Sequence, residues 1–502
     1  MNFKYKNDLM NGPVRPGTAI FLFEGDGLPE KRPELSSFRR CFGTLLESGT
    51  YAGRHLETVT LYFPVDDTFL VLVGLGKREE LTEARLMEAA AKGASALVDL
   101  ELKEGYLCLP PPEPHGNHTK LLGLMVMGAR LGTTKQKNFK SDSDERSTLL
   151  KTKTLHFQFL GSKDPLEKPQ NIINRADIMA LAQLDARYLT DMPPNLMYPE
   201  TFANEAKRLA LRNKLRISVW DHDKLYREGA GGILAVGGGS SHPPALVIME
   251  YDGKPDSLTP PVAIVGKGVT FDSGGLDLKP ADSMLHMKTD MAGAAAVLAI
   301  LQAVAELSLR QKVLGVIPLA ENLTGSGAYR PGDVIKMNSG QTVEIVNTDA
   351  EGRLLLADGL TVAQKYKPSC LIDLATLTGA CQVALGSKCA GIFSTDRDLK
   401  NLVVDNGSSM GEMFWELPLI PDYEEEIRSK MADFKQAGSR SGGAINAALF
   451  LKKFVRPPLP WVHLDICGPA RNARNTPLAP EGATGFGVRT LLNLLTGMSL
   501  RT

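Results

Sequence analysis

Residues 347–354 read NTDAEGRL, so two carboxylates, Asp349 and Glu351, stand one residue apart, and a guanidinium, Arg353, follows at the same spacing. Upstream, VGKGVTFDSGG carries Lys267 and Asp272, and LDLKPADSMLHMKTDMAGAAAV carries Lys279 and Asp290. If these stretches converge, Asp272, Asp290, Asp349 and Glu351 share one pocket with two lysines and an arginine. Four carboxylates cannot all stay ionised together without strong positive charge, because each raises the pKa of the others. The lysines and the arginine supply part of that charge. Two divalent cations would supply more, and oxygen-rich sites holding two ions ~3.5–4 Å apart activate water for hydrolysis. Salt bridges at strand ends explain any one Asp or Lys taken alone. For three clusters at the ends of apolar strands that account is the weaker one.

The elements that must position these residues alternate between two periodicities. From about residue 171, a long helical pattern, NIINRADIMALAQLDARYLTDM, leads into PVAIVGKG, KVLGVIPLAE, TVEIVN, SCLIDLAT and WVHLDICG. These are near-continuous apolar strands, mostly separated by helical stretches, and they predict a mixed, mostly parallel sheet covered by helices on both faces. In such sheets reactive groups gather where strands end at their carboxyl edge. TVEIV reads as a buried strand that delivers Asp349 and Glu351. Earlier in the chain, DTFLVLVGLGK, LTEARLMEAAAKGASALVDL and KTLHFQFLGS alternate strand, helix and strand, which predicts a smaller α/β domain. The polar, proline-containing GSKDPLEKPQ separates the two, giving an accessory domain at 1–165 and a catalytic one at 171–502.

Composition excludes several classes. The 57 Lys+Arg balance 57 Asp+Glu, so no broad electrostatic hold on nucleic acid or membrane is expected. No apolar run approaches the ~20 residues of a membrane span, and MNFKYKNDLMNGPVRPG lacks a signal-peptide core. Six scattered cysteines without a CxxC pair read as reduced core thiols of a cytoplasmic protein. The eight histidines form no HExxH. GLGK at 74–77 and VGKGVT at 265–270 do not fit a phosphate loop.

NTDAEGRL, VGKGVTFDSGG, MKTDMAGAAAV, DLATLTGA and WVHLDICG, in this order, resemble the blocks of the leucyl aminopeptidase (cytosol aminopeptidase) family, the M17 di-zinc metallopeptidases. The likeness is specific over roughly 175–495 and fainter in the N-terminal part. It implies a metalloexopeptidase that removes N-terminal, leucine-like or broader residues from peptides. It also implies two divalent ions per subunit (Zn2+ or Mn2+) and a homohexamer. By this resemblance Lys267, Asp272, Asp290 and Glu351 hold the tighter ion, and Asp272, Asp349 and Glu351 the exchangeable one. Lys279 stabilises the oxyanion, and Arg353 holds a bicarbonate that takes the proton of the attacking water. Met287, Asn347, Thr376, Leu377 and Gly379 line the substrate pocket.

Three departures from the family pattern stand out. GGLDLKP places an extra acid, Asp277, before Lys279, and it is expected to face water. After WVHLDICG, Pro469-Ala470 replaces a more apolar continuation, which puts the preference for leucine in question. MADFKQAGSR lacks the usual asparagine after its Ala-Asp pair. The alternative function is a DNA-binding regulatory role of the same fold. It would need a basic face, for which TTKQKNFKS is the one short candidate in the accessory domain, and the zero net charge disfavours it.

Overall fold

A computed structural model of the chain describes residues 1–6, 17–26, 36–64, 67–102, 104–110, 118–134, 139–141, 156–160, 166–253 and 260–501. Two compact units form, Met1–Leu181 with Arg474–Pro480, and Ala182–Ala473 with Glu481–Thr502. The division falls inside one helix, Pro169–Asp191. Of the polar segment GSKDPLEKPQ, residues 161–165 lie outside the described ones, as do residues 135–138 of the basic run TTKQKNFKS.

In the first unit the strands are β1 (Asn2–Lys6), β2 (Gly17–Phe23), β3 (Thr58–Phe63), β4 (Thr68–Gly76), β5 (Glu104–Cys108) and β6 (His156–Leu160). They form one sheet in the order β1-β6-β5-β2-β4-β3, parallel except where β3 runs against β4. The helix Glu83–Asp99 starts at Thr82, whose side chain accepts from Arg85 N, and buries Leu86, Ala90, Ala94 and Leu97. Met87, Ala89, Ala91 and Gly93 are buried as well, so the helix turns a broad apolar band, not one narrow stripe, to its neighbours.

The second unit holds β7 (Arg216–Trp220), β8 (Ala245–Tyr251), β9 (Val262–Gly266), β10 (Gly268–Asp272), β11 (Val313–Asn322), β12 (Val334–Lys336), β13 (Thr342–Glu344), β14 (Cys370–Ala375), β15 (Cys389–Ser394), β16 (Met413–Glu416), β17 (Phe434–Lys435) and β18 (Trp461–Asp465). Nine of them make one mixed sheet, ordered β16-β15-β18-β14-β9-β11-β8-β7 with β10 beside β11. The central strands β18, β14, β9 and β11 are parallel, and β9, β11 and β14 are buried along their whole length. Helices cover both faces, as apolar strands without polar alternation require. Helix Ala292–Glu306 sets Val297 and Leu301 over Gly315, while helix Gly352–Gln364 sets Gly359 against Val265. Gly315 aligns with Ile264, and neighbouring residues point to opposite faces, so these helices lie on opposite sides.

Three sequence expectations change. TVEIV is not a strand of the main sheet: β13 pairs with β12 and β17 in a separate three-stranded sheet, and Val346 beyond it is exposed. Three residues are too short a strand to bury on both faces, so this segment behaves as a side hairpin leading into the site. The cysteines are all free, but Cys41 is exposed and Cys467 half-buried, so not all are core thiols. Finally, Met287–Glu306 is long and apolar enough to span a membrane by composition, yet most of it is buried in the fold, where it forms the central core helix.

Candidate active site

The parallel strands end on one edge, and that edge collects the charged residues. β9 stops at Gly266, Lys267 occupies the break before β10, β10 ends on Asp272, and β14 ends just before Thr376. The approach of the next layer depends on missing side chains. A Cβ on Gly293 would meet Leu374 O at 2.2 Å, and one on Gly352 would meet Lys267 Cε at 2.3 Å. With glycine at both places, Asp290 and Glu351 can close over the lysine.

Around Lys267 the ammonium donates to Asp290 Oδ1 (2.8 Å) and Thr376 O (2.9 Å) and lies 2.8 Å from Glu351 Oε1. Thr376 Oγ1 also donates to Asp290 Oδ1, at 2.7 Å. Lys279 Nζ lies 2.9 Å from Asp272 Oδ2 and 2.5 Å from Asp349 Oδ1. Asp272 Oδ1 accepts from Gly274 N and Asn322 Nδ2, both at 2.8 Å. The four carboxylates and two lysines anticipated from sequence are therefore gathered in one place.

Their charges do not balance. Four carboxylates face two ammoniums, and burial makes the excess costly. Burial, with Glu351 adding to it, raises Asp272 to about 6 against the pull of both lysines. Burial likewise raises Asp290 well above the usual carboxylate range and raises Asp349. Glu351 is the exception: Lys267 and Lys279 outweigh its burial and hold it low. For both lysines burial works downward, but the surrounding carboxylates overcome it and raise them.

The donor set fits divalent cations. Asp290 Oδ2, Asp349 Oδ1 and Glu351 Oε1 are buried and accept no hydrogen bond of good geometry, although lysine nitrogens touch them. Asp272, Asp290 and Glu351 each turn a carboxylate oxygen to within 4.8 Å of the others. Buried acceptors left open in a negatively charged cluster are what hard or borderline cations bind.

Arg353 is buried beside the cluster. Its Nη1 donates to Gln436 O (2.7 Å), while its Nε is buried without a partner. Burial lowers it to about 10, against the pull of Glu351 and Asp465. The residues expected at the substrate pocket lie on the same loops. Met287 opens the 3-10 turn Met287–Met291 that carries Asp290, and Asn347 is exposed, its Oδ1 accepting from Asp349 N. Half-buried Leu377 donates through its N to Asp465 Oδ1 (3.3 Å), and exposed Gly379 begins the helix Gly379–Leu385, capped by Thr378.

Sequence reasoning missed the residues that hold this arrangement. Asn322, fully buried at the end of β11, grips Asp272 and also donates to Thr348 O (3.0 Å). Tyr329 OH donates to the same carbonyl at 2.6 Å. Two polar residues, Glu321 and Asn322, closing an otherwise apolar strand were the available signal for Asn322; none marked Tyr329. Asp277 does not simply face water: its Oδ2 accepts from Thr348 N at 2.7 Å and its N donates to Thr348 Oγ1 at 2.8 Å.

Residues 185–492 match the model of the cytosol aminopeptidase family, catalytic domain, and residues 19–143 that of its N-terminal domain. The chain belongs to the cytosol aminopeptidase family. A probable cytosol aminopeptidase of Geotalea uraniireducens is 43% identical over 431 residues, covering 86% of this chain and 85% of that protein. One from Nitratidesulfovibrio vulgaris is 39% identical, covering 95% of both chains. Among solved structures, a tomato leucine aminopeptidase mutant superposes with TM-score 0.88 at 29% identity, covering 99% of this chain and 96% of that one. The bottromycin maturation enzyme BotP in complex with Mn superposes with TM-score 0.83 at 32% identity, covering 96% and 99%. The chain is thus a peptidase hydrolase of a metal-dependent aminopeptidase family with a two-domain α/β fold.

Proposed function

We propose that this member of the family removes N-terminal residues from peptides at a site holding two divalent cations, Zn2+ or Mn2+. The observation that carries the reading is the set of buried carboxylate oxygens on Asp290, Asp349 and Glu351 that only lysine nitrogens touch, in a cluster with twice as many carboxylates as lysines. Lys267, Asp272, Asp290 and Glu351 would hold one ion, and Asp272, Asp349 and Glu351 the other. When bound, such ions polarise the scissile carbonyl and make water a nucleophile near neutral pH.

The chain's own residues divide the remaining work. Lys267 is boxed in as an ammonium by Asp290, Glu351 and Thr376 O, and to serve as a ligand it would have to give up its proton, which an adjacent dication favours. Lys279 is less buried, and cations on Asp272 and Asp349 would relieve it of those partners, leaving its N–H donors for the oxygen that gains charge. Arg353, with a buried N–H unpaired, would hold an oxyanion such as bicarbonate, which supplies the base; a guanidinium cannot itself take the proton. Thr376, Met287, Asn347, Leu377 and Gly379 would receive the first residue, its free amine directed at Asp290. The reading extends to a homohexamer acting in the cytoplasm on peptides with a free N-terminus.

The test measures metal content and hydrolysis of an aminoacyl panel after reconstitution with Zn2+ or Mn2+. About two ions per chain and release of N-terminal residues are expected. Metal-independent turnover would overturn the reading.

A further inference from the structure

Asp349 differs from the other three carboxylates in how it is held. Its side chain keeps 34% of its surface exposed, against 3% for Asp272, 6% for Asp290 and 2% for Glu351. Packing therefore does not set its position, and neither does a sheet, because β13 ends at Glu344 and the next residues run on as a loop. Side chains from distant parts of the chain hold that loop instead: Asn322 and Tyr329 at Thr348 O, and two more at its N–H groups and at Asn347 O.

On one side is Gln436, fully buried. β17 pairs with β13 through Val343–Phe434 and Glu344–Lys435, so Gln436 follows in register alongside the loop. Its Oε1 accepts from Val346 N at 2.7 Å and its Nε2 donates to Asn347 O at 2.7 Å. The side-chain amide thus continues the ladder where the backbone of β17 stops, while its own carbonyl accepts from Arg353. On the other side is Asp277, which accepts from Thr348 N and donates its own N–H to Thr348 Oγ1. The Oγ1 in turn donates to Gly274 O at 2.7 Å, tying the loop that carries Lys279 to the loop that carries Asp349.

We propose that Asp277 and Gln436 are positioning residues that clamp the backbone of 346–348 from two sides and so hold Asp349 ready as a metal-binding carboxylate. The inference rests on the two-cation reading above. Neither residue touches the reacting atoms; each acts through backbone groups of the loop. Partners of this kind commonly set metal affinity or activity by 10–100-fold.

The experiment uses the full chain and has two readouts. Amide exchange at Val346 and Thr348, in metal-free protein, reports the clamp itself. Titration with Mn2+ alone reports the weaker of the two binding events. Asp277→Ala is expected to speed Thr348 exchange and weaken that event by about 10–100-fold, with a modest fall in melting temperature because the N–H it frees belongs to fully buried Thr348. Asp277→Asn keeps an acceptor oxygen and should restore most of both. Gln436→Asn is one methylene too short to reach both partners, so Val346 exchange should rise and the same Mn2+ event weaken. Parental exchange and Mn2+ affinity in Asp277→Ala and Gln436→Asn would overturn the proposal, as would an Asp277→Asn variant no better than Asp277→Ala. If the parent takes up no Mn2+, the two-cation reading fails, and the exchange measurement still decides whether the clamp exists.

Discussion

Glu351 and Asp358 stand two turns apart on and before one helix, Gly352–Gln364, and both are buried carboxylates, yet their surroundings differ. Asp358 accepts backbone N–H groups only: Ile233 N at 3.0 Å, Asn338 N at 2.8 Å, and that of Gly232. It closes the amino end of the helix Gly231–Gly237 and fastens the turn at 338. Glu351 instead lies 2.8 Å from the Lys267 ammonium through an oxygen that accepts from nothing else, with Lys279 adding its charge. Fixed dipoles satisfy the first, which makes it part of the scaffold. Charges satisfy the second, and charges can be exchanged for cations. On this contrast Asp358, its acceptors used by backbone N–H groups, belongs to the scaffold, and Glu351, facing lysine charge, is the one proposed to bind cations.

Removing the functional member is expected to have the largest effect. Glu351→Ala should leave less than one ion per chain after dialysis and abolish most turnover. Asp349→Ala should keep about one ion, because in the proposed two-cation site Asp349 would serve only the exchangeable ion. Metal content measured beside the parent checks both, and a full complement in both variants would reduce these acids to salt-bridge partners.

Lys279 sharpens the contrast, since it touches Asp272 and Asp349 and is proposed as an oxyanion donor, not as a ligand. Lys279→Ala should retain two ions and lose about 10²–10³-fold in kcat, the usual worth of one preorganised oxyanion donor. Unchanged turnover would remove it from the mechanism.

Gly352 tests whether the closeness around Lys267 is required. Gly352→Ala places a methyl 2.3 Å from Lys267 Cε, so the lysine must shift. A cost of about 1–3 kcal/mol in stability is expected from such overpacking, together with weaker metal retention, read by thermal melting and metal analysis.

Asp358 gives the smallest functional effect and a pH signature. Asp358→Ala should keep its metal and lose about 1–3 kcal/mol per buried N–H left unpaired. Burial raises Asp358 from 3.8 to about 7, so the folded state holds this proton more tightly than the unfolded one. The parent's contribution from this group is then full below pH 3.8 and declines as pH rises towards about 7. Asp358→Asn should flatten that part of the stability profile, and an identical slope in parent and variant would refute the burial argument.

Much of the site was legible in the sequence because side-chain type at a fixed offset carries the chemistry. The carboxylates, lysines and arginine at 267–290 and 349–353 name an acid-rich cluster wherever they sit, and apolar strands ending beside them name a sheet edge. What holds those groups was less legible. Gln436 reaches Val346 across 90 positions, and Asp277 reaches Thr348 across 71. In one dimension each is only a polar residue in a loop, so the extra acid looked solvent-facing. TVEIV misled for a related reason, since a β-branched run shows strand propensity but not which sheet it joins.

The residues by themselves determined the donor set, its spacing, the strand and helix periodicities, and through its blocks the family. Those properties are local, resting on the identity and order of a few neighbours. Tertiary structure alone decided that Lys267 interrupts a strand, that glycines 293 and 352 let two layers close on it, and that particular carboxylate oxygens stay open. It alone decided, too, that Gln436 and Asp277 meet one loop. These depend on packing at the scale of a single Cβ or hydrogen bond between segments far apart in the chain, and no local rule encodes a contact of that kind.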